Sequence, residues 1–264
     1  ANDLKMFAGS KYIKSNPVGI YEKLKKELKE DNSILFIGLP CQVAAVKKYV
    51  GKSLQENLTT VDLICHGTPS PKILDKFLKQ YNKEINDVKN IEFRVKGKFQ
   101  VSSANGTIAT PGCCDRYMTS FLSALTYTEN CYECSYAKKQ RVGDITLGDS
   151  WGSALPEVEW KKGISLILCQ SLKGKKLLDK TNMYLRDVDV ENAIKNNHQL
   201  MHPSIAPKGK QKFFEGLKKG KSFNRLVMRA LPKECFKQDV KAVLIKLGII
   251  SVGGGISYQV KIIE

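Results

Sequence analysis

The chain has 264 residues, 42% hydrophobic and 26% charged, enough to bury a core in one large domain or two smaller ones without disulfide staples. No run of about 18 apolar residues occurs and no basic-then-apolar leader opens the chain at Ala1-Asn2-Asp3-Leu4-Lys5, so neither a membrane span nor secretion is expected. The formal net charge is +17, but the lysines are spread over 23–29, 47–52, 79–98, 161–180 and 208–221 without interleaved stacking aromatics, so a lysine-rich solvated surface is preferred to a nucleic-acid site.

In chain order, residues 17–30 have helical apolar spacing at Ile20, Leu24 and Leu28. Residues 33–38 form a short apolar run ending in Gly38, which reads as a buried strand. Leu39-Pro40-Cys41-Gln42 is then a turn, and a helix continues over 43–50. The pattern repeats with a strand at 58–64, a turn at Cys65-His66-Gly67-Thr68-Pro69-Ser70, and a helix over 71–81, with Ser70 suited to the cap and Pro71 to the first helical position. Two successive strand–helix units imply neighbouring parallel strands, whose turns lie together at the carboxyl edge where α/β sheets bind ligands. Cys41 and Cys65 each fall in one of these turns.

Farther on, 91–97 alternates like a strand, 99–112 reads as a hairpin turning near Asn105-Gly106, and 115–127 as a helix. Strands are expected at 144–149 and 163–169, and helices near 173–180 and 190–197. Beyond residue 203 the chain turns basic, with a helix near 240–247 and a break at Gly253-Gly254-Gly255. The expected fold class is α/β: a mixed or mainly parallel sheet flanked by helices, with an inserted cysteine-containing segment and a basic helical C-terminal region. The expected division is a cofactor-binding domain over 1–202 and a helical extension over 203–264.

There are eight cysteines, Cys41, Cys65, Cys113, Cys114, Cys131, Cys134, Cys169 and Cys235. Without a secretion signal they favour thiols, metal ligands or catalytic groups over disulfides, and a cytoplasmic protein is expected. Cys131-x-x-Cys134 lets two sulfurs converge from one turn, which suits zinc, an iron–sulfur cluster or a redox dithiol. A redox dithiol usually follows a strand, and this pair follows a helix. No second such pair exists, so a four-thiolate site needs distant thiols, of which Cys41 and Cys65 are the best placed and Cys113-Cys114 could supply one; four thiolates suit a 4Fe–4S cluster and zinc alike. Cys113-Cys114, Cys169 and Cys235 read as incidental or packing thiols.

His66 is either a hydrogen-bonded turn residue or a polar contact and proton donor beside a reduced cofactor. Gly38, Gly67, Gly143 and Gly148 permit close backbone approach by a ligand, or are plain turn chemistry. Asp144 and Asp149 flank a strand and either orient the site or form ordinary Gly-Asp turns. No G-x-G-x-x-G or Walker A loop is present.

Several motifs occur in one order: Lys11-Tyr12-Ile13-x-Ser15, Gly38-Leu39-Pro40-Cys41-Gln42, Val61-Asp62-Leu63-Ile64-Cys65-His66-Gly67-Thr68-Pro69-Ser70, Cys131-x-x-Cys134-x-x-Ala137, and Arg141-x-Gly143-Asp144-Ile145-Thr146-Leu147-Gly148-Asp149-x-Trp151-Gly152. The series resembles the coenzyme F420 hydrogenase/dehydrogenase beta-subunit family, over most of the chain from Ser10 onward. The resemblance implies an oxidoreductase subunit that binds FAD and a 4Fe–4S cluster and passes electrons between them. The flavin would exchange hydride with a soluble carrier, a deazaflavin in archaeal relatives, and other redox subunits or a ferredoxin-like module would be its partners.

Carried over, Cys41, Cys65, Cys131 and Cys134 become the cluster ligands. Lys11, Ser15, Gly38, Gln42, His66, Gly67, Asp144, Thr146, Gly148 and Asp149 become cofactor contacts, with His66 the candidate catalytic residue. The cysteine-rich ferredoxin-like module with which many bacterial relatives begin is not found in this sequence, nor are the family's Ser- and Gly-rich stretch and strand ahead of the Lys-Tyr segment, so the chain is expected to start inside the domain. The competing reading is a zinc-stabilised basic binding module without redox activity.

Overall fold

The computed structural model describes residues 9–251 except 87, 89, 90, 96, 97, 104 and 105. The Asn105 half of the expected hairpin turn and the Gly253-Gly254-Gly255 break lie outside them. The chain forms two compact units, each assembled from separated stretches. The first draws its described residues from Ala1–Lys14, Gly67–Tyr132 and Ile205–Glu264, and the second from Ser15–His66 and Glu133–Ser204. This division follows a different line from a single boundary after residue 202, because both units take up segments that return from far along the chain.

The second unit is α/β. Helix α1 (Ile20–Lys29) precedes strand β1 (Ile34–Ile37), helix α2 (Pro40–Val50) and strand β2 (Leu58–Leu63). Leu24 and Leu28 of α1 bury against Val46 and Val50 of α2 and Leu58 of β2, the apolar stripe that helical spacing had marked. β1 pairs parallel with β2. β2 also pairs parallel with a later strand (Ile145–Asp149), which in turn pairs antiparallel with the last (Ser165–Cys169). The four-stranded sheet is therefore mixed, three strands parallel and one antiparallel at the edge, within the expected class.

The first unit carries helix α3 (Pro71–Leu78) and a three-stranded antiparallel sheet, β3 (Glu92–Val95), β4 (Lys98–Ser103) and β5 (Gly106–Thr107). Ser70 caps α3, its side chain accepting from Lys72 N, with Pro71 at the first helical position. Helix α4 (Arg116–Leu122) follows and ends earlier than the expected 127. The strands Ile145–Asp149 and Ser165–Cys169 are β6 and β7.

In the second unit, α5 (Glu157–Lys162) was not foreseen, while α6 (Leu172–Asp179) and α7 (Val190–Asn196) match the expected helices. The C-terminal region is more regular than its composition indicates: α8 (Lys210–Lys218), α9 (Phe223–Ala230) and α10 (Pro232–Lys246), the last starting well before residue 240. Phe223, Leu226 and Val227 fall at helical spacing and are buried beside Phe213 in the first unit's core. Glycines 209, 216 and 220 and the dense lysines had obscured that periodicity. No described helix is long and apolar enough to cross a membrane.

Candidate functional site

Three parallel strands of the second unit deliver their following residues to one edge. After β1 the chain runs through Gly38 and Leu39 into α2, where Cys41 is the second helical residue and half-buried. Gln42 Oε1 accepts from Leu39 N (3.0 Å), and Gln42 Nε2 donates to Ser15 Oγ (2.8 Å). Gln42 and Ser15, both expected as cofactor contacts, thus meet each other. The Tyr21 hydroxyl is pushed up first by burial and then by the negative charge of Cys41, which stands near it.

After β2 come Ile64, Cys65 and His66. Ile64 N donates to Leu147 O (2.8 Å), extending the ladder by one residue before the half-buried Cys65. Asp149 ends β6 on the same edge. Desolvation lowers the imidazole of His66, nearby His198 lowers it further, and Asp149 opposes both. Gln199 Nε2 lies 2.8 Å from His66 Nδ1 and 2.5 Å from His198 Nε2, and the His198 ring stacks on His202 with centroids 5.2 Å apart. All three histidines of the chain therefore gather in this unit. Ser204 Oγ donates to His66 O (2.6 Å). Gln199 was not foreseen, because it is 133 residues from His66 in sequence and no periodicity links them.

Asp144 and Thr146 are placed differently. Asp144 sits at the amino end of β6, remote along the strand from Asp149. Its Oδ2 accepts from Thr60 N (2.8 Å) and Thr60 Oγ1 (2.7 Å), and its Oδ1 from Ser171 Oγ (2.7 Å). Burial alone would raise this carboxyl, but the bonds from Ser171 and Thr60, with Lys47 3.9 Å away, hold it below the ordinary value. Thr146 Oγ1 donates to Asp62 Oδ1 (2.6 Å) in the fully buried layer. Both side chains are committed to joining strands.

The Cys131-x-x-Cys134 pair straddles the division between the units. In the first unit Cys131 ends the short 3₁₀ turn Glu129–Cys131, its Sγ 3.2 Å from Thr128 Oγ1. Lys11, also in that unit, donates from Nζ to Gly9 O (3.0 Å). Cys134 belongs to the second unit, on the loop entering Tyr136 and the buried Ala137, whose N donates to Cys134 O (3.2 Å).

The glycines are occupied by the protein itself. A Cβ on Gly38 would meet the Phe36 ring at 2.8 Å, one on Gly148 would meet Ile64 Cδ1 at 2.5 Å, and one on Gly67 (φ +130) the Tyr127 ring at 2.3 Å. At each of these positions a side chain would collide with a neighbouring one, so packing requires the glycine. On a chemical test the thiol set suits a cluster: four cysteines outside any disulfide, each half-buried, with soft donors of the type that select iron–sulfur or zinc. The closed geometry is not formed, since among the described residues no three His, Cys, Asp or Glu side chains are gathered closely enough to hold a metal ion.

The α/β unit sets two half-buried thiols, a histidine and a carboxylate at the carboxyl edge of parallel strands, the edge where proteins of this class bind ligands. A family model for the C-terminal part of the beta subunit of coenzyme F420 hydrogenase/dehydrogenase matches residues 31–191, more than half of the chain, and the chain belongs to that family of oxidoreductase subunits. Among solved structures it is similar to a chain of the F420-reducing NiFe hydrogenase complex from Methanosarcina barkeri, at 19% identity and a TM-score of 0.46, covering 81% of this chain and 72% of that one. No curated protein matches.

Proposed function

We propose that this protein is an electron-transfer subunit that exchanges electrons between a 4Fe–4S cluster and FAD, with Cys41, Cys65, Cys131 and Cys134 as the thiolate ligands. The observation that carries this reading is that Cys41 and Cys65 follow adjacent parallel strands, in a chain of the beta-subunit family. When bound, the cluster supplies single-electron steps and the flavin a paired, hydride-level one.

This chain's own residues have separable tasks in that reading. The Gln199 side-chain amide lies within hydrogen-bond reach of His66 Nδ1 (2.8 Å) and of His198 Nε2, and so fixes the orientation of the His66 ring. His66 thus presents an oriented imidazole next to Cys65 in the chain. Asp149, at the end of β6, supplies a negative charge that favours the protonated ring. Gln42 and Ser15 brace the first turn of helix α2, which carries Cys41, while Lys11, Gly38, Gly67, Asp144, Thr146 and Gly148 remain proposed contacts or supports of the cofactors. Partners would be other redox subunits or a ferredoxin-like module, and a soluble hydride carrier, which is a deazaflavin in archaeal relatives.

The test is iron, sulfide, zinc and flavin analysis of protein purified without oxygen. Brown protein with iron and sulfide near four per chain and bound FAD is expected. Colourless protein with one zinc and no flavin would favour the zinc-stabilised binding module and overturn the redox assignment.

A further inference from the structure

The side chains of Asp62 and Arg141 are 0% and 1% exposed, a charged pair inside the α/β unit with Nε 3.7 Å from Asp62 Oδ1. Burying two charges is costly unless the remaining donors and acceptors are used. Asp62 is fully used: Oδ1 accepts from Thr146 Oγ1 (2.6 Å) and Oδ2 from Gly143 N (3.0 Å). Gly143 is needed for this approach, since a Cβ there would meet Asp62 N at 2.9 Å and Ile145 O at 2.8 Å.

Arg141 is spent otherwise. Its Nη1 donates to Tyr136 O (2.5 Å) and its Nη2 to Leu63 O (2.6 Å), while Nε is buried without a hydrogen-bond partner. Tyr136 is two residues past Cys134, and Leu63 is two residues before Cys65. One planar cation therefore joins the backbones of two cysteine-bearing segments that lie about 70 residues apart in sequence. A guanidinium can do this because its fork presents two donors at fixed separation, and the orphaned Nε indicates that the side chain is set by the two carbonyls more than by the carboxylate.

We propose that Arg141 is a positioning residue that fixes the Cys65 and Cys134 segments relative to one another, and that Asp62 serves mainly as its counter-charge. The inference rests on the assignment of Cys65 and Cys134 as ligands of one cluster. Lysine at 141 keeps the charge but replaces two nitrogens at fixed separation by one, so both carbonyls would have to shift to converge on a single ammonium instead of being held at the spacing of the fork.

The experiment compares wild type, Arg141→Lys and Asp62→Asn, reading iron and sulfide bound per chain after anaerobic reconstitution, with urea unfolding of the metal-free proteins alongside. Arg141→Lys should lose most of its iron, five-fold or more, beyond what its fall in stability accounts for. Asp62→Asn should be destabilised yet keep its iron, because both carbonyl bonds remain. A merely structural role for Arg141 predicts that iron content tracks stability in both variants.

If Arg141→Lys fails to fold, the Asp62→Asn/Arg141→Gln double variant, which leaves no unpaired buried charge, carries the same comparison. Iron content in the arginine variants equal to wild type would overturn the tether alone. A wild type that takes up no iron would overturn the ligand assignment and the tether with it.

Discussion

Replacing Asp144 by alanine is the sharpest stability test of the α/β unit. The carboxylate is 3% exposed and accepts from Thr60 N, Thr60 Oγ1 and Ser171 Oγ at 2.7–2.8 Å. It thereby joins β2, the start of β6 and the turn after β7. Removing it leaves the Thr60 amide buried without this acceptor, at about 1–3 kcal/mol, and the Thr60 hydroxyl proton without one, although Thr60 Oγ1 still accepts from the backbone N of residue 144 (3.1 Å). Ser171 Oγ keeps its bond from Gly174 N (3.2 Å), so its loss is smaller. Lys47 retains the Val142 carbonyl at 2.6 Å. The expected loss is about 3–5 kcal/mol at pH 7, with Asp144→Asn intermediate.

The pH dependence follows from the direction of the carboxyl shift. Its folded-state value lies below the unfolded value of 3.8, so the folded state binds fewer protons across that interval. The contribution is present above pH 3.8 and is lost as pH falls through the folded value. Urea unfolding followed by circular dichroism at pH 7 and in an acid series measures both points. A loss under about 1 kcal/mol at pH 7, or a difference between variant and wild type that does not shrink in acid, would refute the reasoning.

Three further outcomes are expected. Asp115, buried at the cap of α4 and pushed up to about 6 by desolvation despite backbone bonds from Val101 and Met118, should titrate near that pH by carbon NMR. Because its folded value exceeds the unfolded 3.8, the stability it contributes is complete below pH 3.8 and lost as pH rises through about 6. Gly67→Ala should destabilise the protein by about 2–4 kcal/mol, since its φ of +130 is unfavourable for alanine and the new Cβ would lie 2.3 Å from the buried Tyr127 ring; a neutral result by thermal unfolding contradicts this. Cys114, pushed up to about 11 mainly by burial, should react with iodoacetamide at pH 8 at least ten-fold more slowly than the exposed Cys169, as mapped by mass spectrometry.

Much of the second unit could be read from the chain, because its first strands and helices are consecutive and carry unambiguous signals. The apolar run ending at Ile64 and the stripe of Leu24 and Leu28 each state a local preference that tertiary packing did not override, whereas the run ending at Gly38 forms its strand at the sheet edge with Leu35 and Ile37 exposed, not buried as expected. The C-terminal helices were only partly legible: Phe223, Leu226 and Val227 have helical spacing, but the helix is eight residues long and sits among glycines and lysines.

The candidate site divides in the same way. Cys41 and Cys65 could be placed on one edge, because that follows from two successive strand–turn–helix units. Asp144 and Asp149 looked equivalent beside their glycines, yet they cap opposite ends of β6, and only strand direction separates them. The approach of Gln199 to His66 and the reach of Arg141 to the Leu63 carbonyl span 133 and 78 residues, which no local pattern encodes.

The most direct test of the central claim is the iron bound per chain in single serine variants of Cys41, Cys65, Cys131 and Cys134, reconstituted without oxygen beside Cys169→Ser and Cys235→Ser. Each of the four should lose most of the iron and its colour while unfolding at nearly the same urea concentration in the metal-free state, and the two controls should load like wild type. Full loading in any of the four, or losses as large in the two controls, would contradict the assignment.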